Sequence, residues 1–522
     1  MRTFVVLLLV AGFALARIIV VPDSVATVQG GLNAAGSGDT VLVMPGTYTE
    51  NLNWPSIDGI KLFSLAGPES TVVDGNYAGT CLVMASGNLS RATEVRGLKF
   101  ARGYTSGGGA AGISLSGSAT IAGNRITRCQ GVGVYLSSTS SLFKPLVTGN
   151  EIDGCWKEVE NYNYGCGVYI NSYAGARPEV CWNYIHHDTL RNSARNYGGG
   201  MYVDGEALIY GNRLEANVLY SDTGSACRAY GAGIYVDASC LIFNNLIINN
   251  RCATDAWKYG AGIRMGLSVK PVIVGNTIVG NVCEGPHMWS DGGGIYNDMM
   301  CTTYVKNNIV ANNEATEGSG VFNSTIGTAG VVNSSYNDYH NNTLVGFSTG
   351  AGDIAADPSF AAGPRGAYYL SHTSAGQPQT SPCVDAGDTL WPAFGFEMDS
   401  LLHSWTTRTD SVPDAGRADM GYHCPTSLQV GVSAPASVFL PLVVQAGPNP
   451  TRGAVRFAVG PANAEAVRLT VFDASGRVVH RAESRGPAVA RLEWDAAGAA
   501  AGVYLYRVAS GSRETSGRVV KF

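Results

Sequence analysis

Two short patterns, repeated in step from about Gly112 to Asn341, predict an all-β chain whose main body is a right-handed parallel β-helix solenoid. One pattern is Gly-aliphatic-aromatic: Gly133-Val134-Tyr135, Gly167-Val168-Tyr169, Gly200-Met201-Tyr202, Gly233-Ile234-Tyr235, Gly294-Ile295-Tyr296 and Gly320-Val321-Phe322, with Gly262-Ile263-Arg264 as a variant. The other sets aliphatic residues around an Asn at 124, 150, 183, 212, 245, 276 and 308, spaced 26, 33, 29, 33, 31 and 32 apart. A second ladder falls five residues on, at Cys129, Cys155, Asp188, Asn217, Asn250, Asn281 and Asn313. Composition agrees. Of 522 residues, 67 are Gly and only 14% are charged, which suits tight turns and argues against a helical bundle. Each unit holds two or three alternating strands of about five residues and buries too little alone, so neighbouring coils must share an interior. The Asn at each bend is expected to adopt the left-handed backbone and to hydrogen-bond along a ladder.

The elements follow in chain order. Residues 1–16 carry Arg2, an apolar run from Phe4 and Ala14-Leu15-Ala16, the pattern of a signal peptide cleaved before Arg17. No later run is long and apolar enough for a transmembrane segment. Residues 17–352 are assigned to the β-helix, 353–425 to its C-terminal cap segment and 426–445 to a linker. Residues 446–522 form a separate domain: 11 Arg/Lys against 6 Asp/Glu give it a net of +5, it holds none of the 12 Cys, and alternating apolar runs suit a small β-sandwich.

Two segments carry family resemblances. Gly447-Pro448-Asn449-Pro450, Leu469–Asp473 with Gly476-Arg477, Ala501–Tyr504 and the basic finish at Arg518 and Lys521 resemble the Ig-like C-terminal sorting domain of the type IX secretion system. That resemblance implies a partner, the type IX secretion machinery, and a location that is secreted or on the outer-membrane surface of a Gram-negative bacterium. Ser24–Ala35, Gly38–Tyr48 and Thr71–Gly75, with Asp357–Phe360, Ser381–Asp388 and Asp414–Tyr422, resemble the opening and terminal segments of the pectin-lyase-like β-helix families. In those families the 24–35 stretch is a short helix covering the open end of the coils, where a bare edge strand would invite aggregation.

An exported chain with twelve Cys is expected to hold some disulfides, with connectivity left open. Cys129 with Cys155 and Cys252 with Cys283 occupy equal places on neighbouring coils, and Cys383 and Cys424 flank the terminal segment. Zinc-ligand spacings (Cys-x-x-Cys, or paired His at helical spacing) are absent.

Aromatic and ionisable residues concentrate in the loops between each Asn ladder and the next Gly strand, which stacking places on one edge. Trp156, Trp257, Trp289 and His287, with a Tyr column at Tyr164, Tyr197, Tyr230 and Tyr259, are the candidate substrate-binding residues. The Tyr columns taken alone also read as stacking that stabilises the coils, and that reading is preferred for them. Polysaccharide lyases of this fold use a Lys or Arg base and often Ca²⁺ to neutralise a uronate carboxylate. On that resemblance Lys157, Arg228, Lys258 and Arg264 are the candidate catalytic residues, and Glu158, Glu160, Asp222, Asp255 and Asp291 the candidate Ca²⁺ ligands. No compact carboxylate cluster supports a glycoside hydrolase. The expected function is binding of a polysaccharide through the loop edge, with cleavage left open and a lyase favoured over a hydrolase if there is one. The alternative is a non-enzymatic adhesin or structural solenoid. A net charge of −5 gives no reason to expect nucleic acid, and a monomer is expected.

Overall fold

The structure is a computed structural model. It describes residues 16–159, 162–173, 175–191, 194–221, 227–284, 289–388, 404–425, 442–460, 466–485, 490–511 and 513–522. The signal-peptide assignment, most of the 426–445 linker, Glu160, Asp222 and His287 lie outside the described residues.

Two compact units divide the chain. The larger, residues 45–56 and 66–438, is a right-handed parallel β-solenoid. Three parallel sheets run its length: one from Glu94–Arg96 to Val331–Ser335, one from Leu52–Asn53 to Leu344–Val345, and one from Gly46–Thr49 to Asp338–His340. Register is fixed by the period-2 alternation, because a slip of one residue would turn every buried side chain outward. Ile126, Ile152, Ile185, Leu214, Ile247, Ile278 and Val310 therefore stack in one fully buried column, paired coil to coil.

The predicted Asn ladder is continuous. Each side-chain amide from Asn124 to Asn308 donates to the Oδ1 of the next ladder Asn at 2.9–3.1 Å, ending on Asn337. The left-handed residue is the one before the ladder Asn, and this corrects the expectation. Gly123, Gly149, Trp182, Gly211, Asn244, Gly275 and Asn307 take positive φ, so each Asn is turned inward and uses its side chain for the ladder. The second ladder runs from the Cys155 N–H to Asp188 Oδ1, and on through Asn217, Asn250, Asn281 and Asn313. Asp188 is the odd member. Burial pushes its carboxyl well above the usual range, so it sits in the ladder as a neutral acid.

The edge segments expected as loops are strands. Trp156–Glu158, Thr189–Arg191, Val218–Tyr220, Arg251–Ala253 and Val282–Cys283 form a five-stranded parallel sheet. Tyr162–Tyr164, Arg195–Tyr197, Arg228–Tyr230, Trp257–Tyr259 and Ser290–Asp291 form another. Insertions repeated on consecutive coils can pair their backbones as the coils do, which satisfies groups that a lone loop would leave to water. All twelve Cys are buried free thiols, in place of the expected disulfides. Cys383 contacts Asp338 Oδ2 at 3.3 Å and is one of the residues of a buried cluster with Leu370 and Met420.

In the smaller unit, residues 16–44, 57–65 and 439–522, strands Ile18–Val21, Thr40–Val43 and Lys61–Ser64 pair in parallel. Helix Val28–Ala34 buries Val28, Gly31 and Leu32, and its Thr27 side chain caps it by accepting the Gly30 N–H at 3.0 Å. C-terminal residues build a three-stranded and a four-stranded antiparallel sheet whose inner residues, among them Phe457, Leu469, Trp494 and Val508, form one core. Among the described residues no helix is long and apolar enough to cross a membrane.

Candidate functional site

Each three-residue edge strand turns its first and third side chains outward and its middle one inward. In the sheet that starts at Tyr162–Tyr164, the first positions are Tyr162, Arg195, Arg228 and Trp257, directly in register. The Arg195 guanidinium lies 5.3 Å from the Tyr162 ring centroid and that of Arg228 3.9 Å from Trp257. Trp289, one coil on, has its ring 6.1 Å from that of Trp257. Tyr162 and Trp289 are 47% and 40% exposed, and Arg195, Arg228 and Trp257 are half-buried. The result is an outward ridge over five coils, two neighbouring cations flanked by Tyr162 on one side and by Trp257 and Trp289 on the other, about 19 Å at the strand spacing. On the neighbouring edge sheet Trp156 and Tyr220 are also exposed, with Arg191 over Tyr220 at 5.7 Å.

The middle positions have a different fate. Lys157 and Lys258 are the central residues of their strands, 6% and 0% exposed. Lys157 Nζ donates to the Tyr164 carbonyl at 3.1 Å, and Lys258 Nζ to that of Thr254 at 2.8 Å. Burial pushes the Lys157 ammonium down to about 8 and lowers that of Lys258. Both ammonium groups thus face the interior of the edge insertion. Arg264, in the Tyr column of the adjoining long sheet, is also buried. Its guanidinium donates to Asp298 at 2.6 Å and lies within 4.1–5.7 Å of the rings of Tyr230, Tyr235, Tyr259 and Tyr296. Of the four candidate bases only Arg228 faces outward with the aromatic ridge.

Tyr164, Tyr197, Tyr230 and Tyr259 stand at the third positions and fold back against Tyr169, Tyr202 and Tyr235. Successive rings lie 5.0, 5.0 and 5.6 Å apart. Tyr197, Tyr202, Tyr230 and Tyr235 are buried. This is coil-to-coil aromatic packing, the second of the two readings given by the sequence. Asp291 continues the column and is 5% exposed. Burial, with the Glu317 charge beside it, pushes its carboxyl up to about 7. Glu158 and Asp255 are exposed, and among the described residues these two and Asp291 do not form a three-ligand group. The described candidates therefore do not fit a Ca²⁺ site.

One acidic row escaped the sequence reading. Asp204, Asp237 and Asp298 each follow a column Tyr by two residues, a repeated Tyr-x-Asp legible in the sequence. Tyr202 donates to Asp237 at 3.2 Å, and burial with the Asp237 charge raises the Asp204 carboxyl. Arg195 and Tyr162, which complete the ridge, were also not singled out. Their signal was the register of five strands too short to recognise singly.

Comparisons with known proteins support the architecture. Residues 109–299 match the family described as right handed beta helix region, and residues 447–521 match the secretion system C-terminal sorting domain. The chain is a secreted or cell-surface protein of a Bacteroidetes-type Gram-negative bacterium. No curated protein matches. Among solved structures, a mutant of a PL6 family alginate lyase matches at 16% identity with a TM-score of 0.31. That match covers 69% of this chain and 56% of the lyase chain.

Proposed function

We propose that this exported β-helix binds a polysaccharide laid along the solenoid axis on the outward ridge. Tyr162, Trp257 and Trp289 offer faces for sugar rings, while Arg195 and Arg228 hydrogen-bond hydroxyls or carboxylates between them. The observation that carries the reading is the register of this ridge: aromatic and cationic side chains recur coil by coil on one face, while the buried Tyr column beside it packs internally. A regular polymer meets a regular row of contacts, so modest affinities per sugar combine. Binding rather than cleavage is the function assigned, because Lys157 and Lys258, the two lysines whose ammonium groups burial pushes down, direct Nζ to interior carbonyls.

Retention of the purified protein on immobilised acidic and neutral polysaccharides tests the reading, with unsaturated-uronate absorbance and reducing-end release recorded alongside. Retention on at least one polymer is expected, with Trp257→Ala and Arg228→Ala each weakening it about fivefold, the equivalent of ~1 kcal/mol. Rising absorbance or new reducing ends would show a lyase or a hydrolase and refute the assignment of binding alone. No retention on any polymer would refute the carbohydrate reading and favour a protein-binding surface.

A further inference from the structure

The C-terminal segment of the solenoid unit assembles a second polar cluster, remote in sequence from the ridge. His423 is 1% exposed in its side chain, with Nε2 3.0 Å from Asp414 Oδ2. Ligand atoms of Asp414, Asp419 and His423 lie within 4.8 Å of one another. A fourth side chain stands beside the group, next to Asp419. His372 Nε2 is 3.7 Å from Asp419 Oδ2, too far for a hydrogen bond, and it is buried without a hydrogen-bond partner although His372 is only 8% exposed. A buried ring nitrogen left unpaired costs about 1–3 kcal/mol, so its place calls for an occupant.

We infer that His372, Asp414, Asp419 and His423 form a binding site for a divalent transition metal of the zinc type. Two carboxylates and two neutral imidazoles carry −2 and balance such a cation inside a buried site. Two imidazoles select the zinc class over calcium, which prefers an all-oxygen shell. Asp414, Asp419 and His423 already converge within 4.8 Å, and His372 Nε2 stands 3.7 Å from Asp419 Oδ2, so a shift of the His372 ring would complete a four-ligand set. The supporting shell is present as well. His423 Nδ1 lies 2.9 Å from the Gly421 carbonyl, the hydrogen bond that would leave Nε2 to the metal. Asp414 accepts the Asp419 N–H, and Asp419 accepts the Asp385 N–H and the Thr407 hydroxyl.

The site would fasten the terminal segment to the coils. The His423 N–H donates to Asn244 Oδ1 at 2.6 Å, Asn244 returns a bond to the His423 carbonyl, and the Gly421 N–H donates to the Asn307 carbonyl at 2.8 Å. Among the described residues the other three-residue group with metal-ligating atoms, Glu151, Asp153 and His186, has both carboxylates engaged by Arg125 and serves as the control.

Tag-free protein is stripped with chelator, reloaded with Zn²⁺, dialysed and measured for metal content, with Co²⁺ loading to read coordination from visible absorption. One Zn²⁺ per chain, a tetrahedral Co²⁺ spectrum and a melting midpoint that rises on reloading are expected. His372→Ala should weaken Zn²⁺ affinity by more than about 100-fold, beyond the 10–100-fold that losing an outer-shell partner costs, while His186→Ala leaves it unchanged. His372 is chosen because its Nε2 makes no hydrogen bond, so the variant should fold even where His423→Ala does not. Absence of stoichiometric Zn²⁺, Zn²⁺ retained at full affinity by His372→Ala, or Zn²⁺ lost with His186→Ala would each overturn the assignment.

Discussion

Replacing Arg264 by Ala separates a structural cation from a ligand-facing one. The Arg264 and Asp298 side chains are 8% and 10% exposed and joined at 2.6 Å, so the substitution strands a buried carboxylate. Breaking such a pair costs about 3–5 kcal/mol, and the guanidinium also gives up four tyrosine faces, each contact worth about 0.5–2 kcal/mol when desolvated. Part of that attraction overlaps with the ion pair, so about 4 kcal/mol is the working figure. For a cooperative unit the size of the solenoid unit, roughly 385 residues, unfolding entropy near 60 °C is about 0.8 kcal/mol/K, which makes the expected drop in melting midpoint about 5 °C. The double variant Arg264→Tyr with Asp298→Asn removes both charges and restores a Tyr between Tyr235 and Tyr296. It should recover most of the loss. Differential scanning fluorimetry measures all three midpoints, and polymer retention is read well below the lowest of them. If Arg264→Ala melts within about 1 °C of the parent yet abolishes retention, the caged-arginine argument is refuted and Arg264 contacts the ligand directly.

Three further outcomes follow from the same physics. Asp188→Asn should raise the melting midpoint, most of all at alkaline pH. The folded state holds the Asp188 proton that the unfolded chain releases above about pH 4, so the native residue loses stability as pH rises, whereas Asn supplies a ladder donor that does not titrate. Asp291, pushed up to about 7 by burial, obeys the same sign within a narrower window: its contribution is complete below about pH 4 and lost progressively up to pH 7, by at most about 4 kcal/mol. A stability-versus-pH curve of Asp291→Asn should be flatter across that interval. Thiol labelling should find the buried cysteines unreactive in the native protein and all twelve reactive after unfolding without reductant. Fewer than twelve would mean that disulfides are present after all.

The solenoid was legible because its signals are local and repeated: a small residue at the bend, an aliphatic residue facing in, an aromatic facing out, an Asn at a constant step. The left-handed bend was misplaced by one residue because Gly, Asn, Trp and even Ala occupy that position, as at Trp182 and Ala216, so composition alone does not mark it. Lys157 and Lys258 were candidates as loop charges, yet each is the middle residue of an aromatic-Lys-x or aromatic-Lys-aromatic triplet. Once those triplets are strands, the period of two turns both lysines inward. What could not be read was whether the triplets pair at all, because a three-residue strand is specified by its neighbours on adjacent coils. The His372, Asp414, Asp419 and His423 cluster was illegible for a stronger reason. Its members span 51 positions without a ligand-type spacing and meet only through tertiary packing.

The division between inward and outward positions also bears on how the ridge is built. Along the middle column of the second edge sheet stand Asn163, Asn196, Ala229, Lys258 and Ser290, residues of unlike size and charge, all in the interior. Such variety is tolerated because each polar member finds a local partner: the Asn163 and Asn196 amides donate to the Arg191 and Tyr220 carbonyls, Lys258 to that of Thr254, and Ser290 to that of Cys283. Interior filling is thereby settled coil by coil, leaving the first position of each strand free to vary. The length of the ridge then equals the number of consecutive coils that carry the insertion. A solenoid of this design changes the reach of its outward ridge by adding or removing a coil, without rebuilding its core.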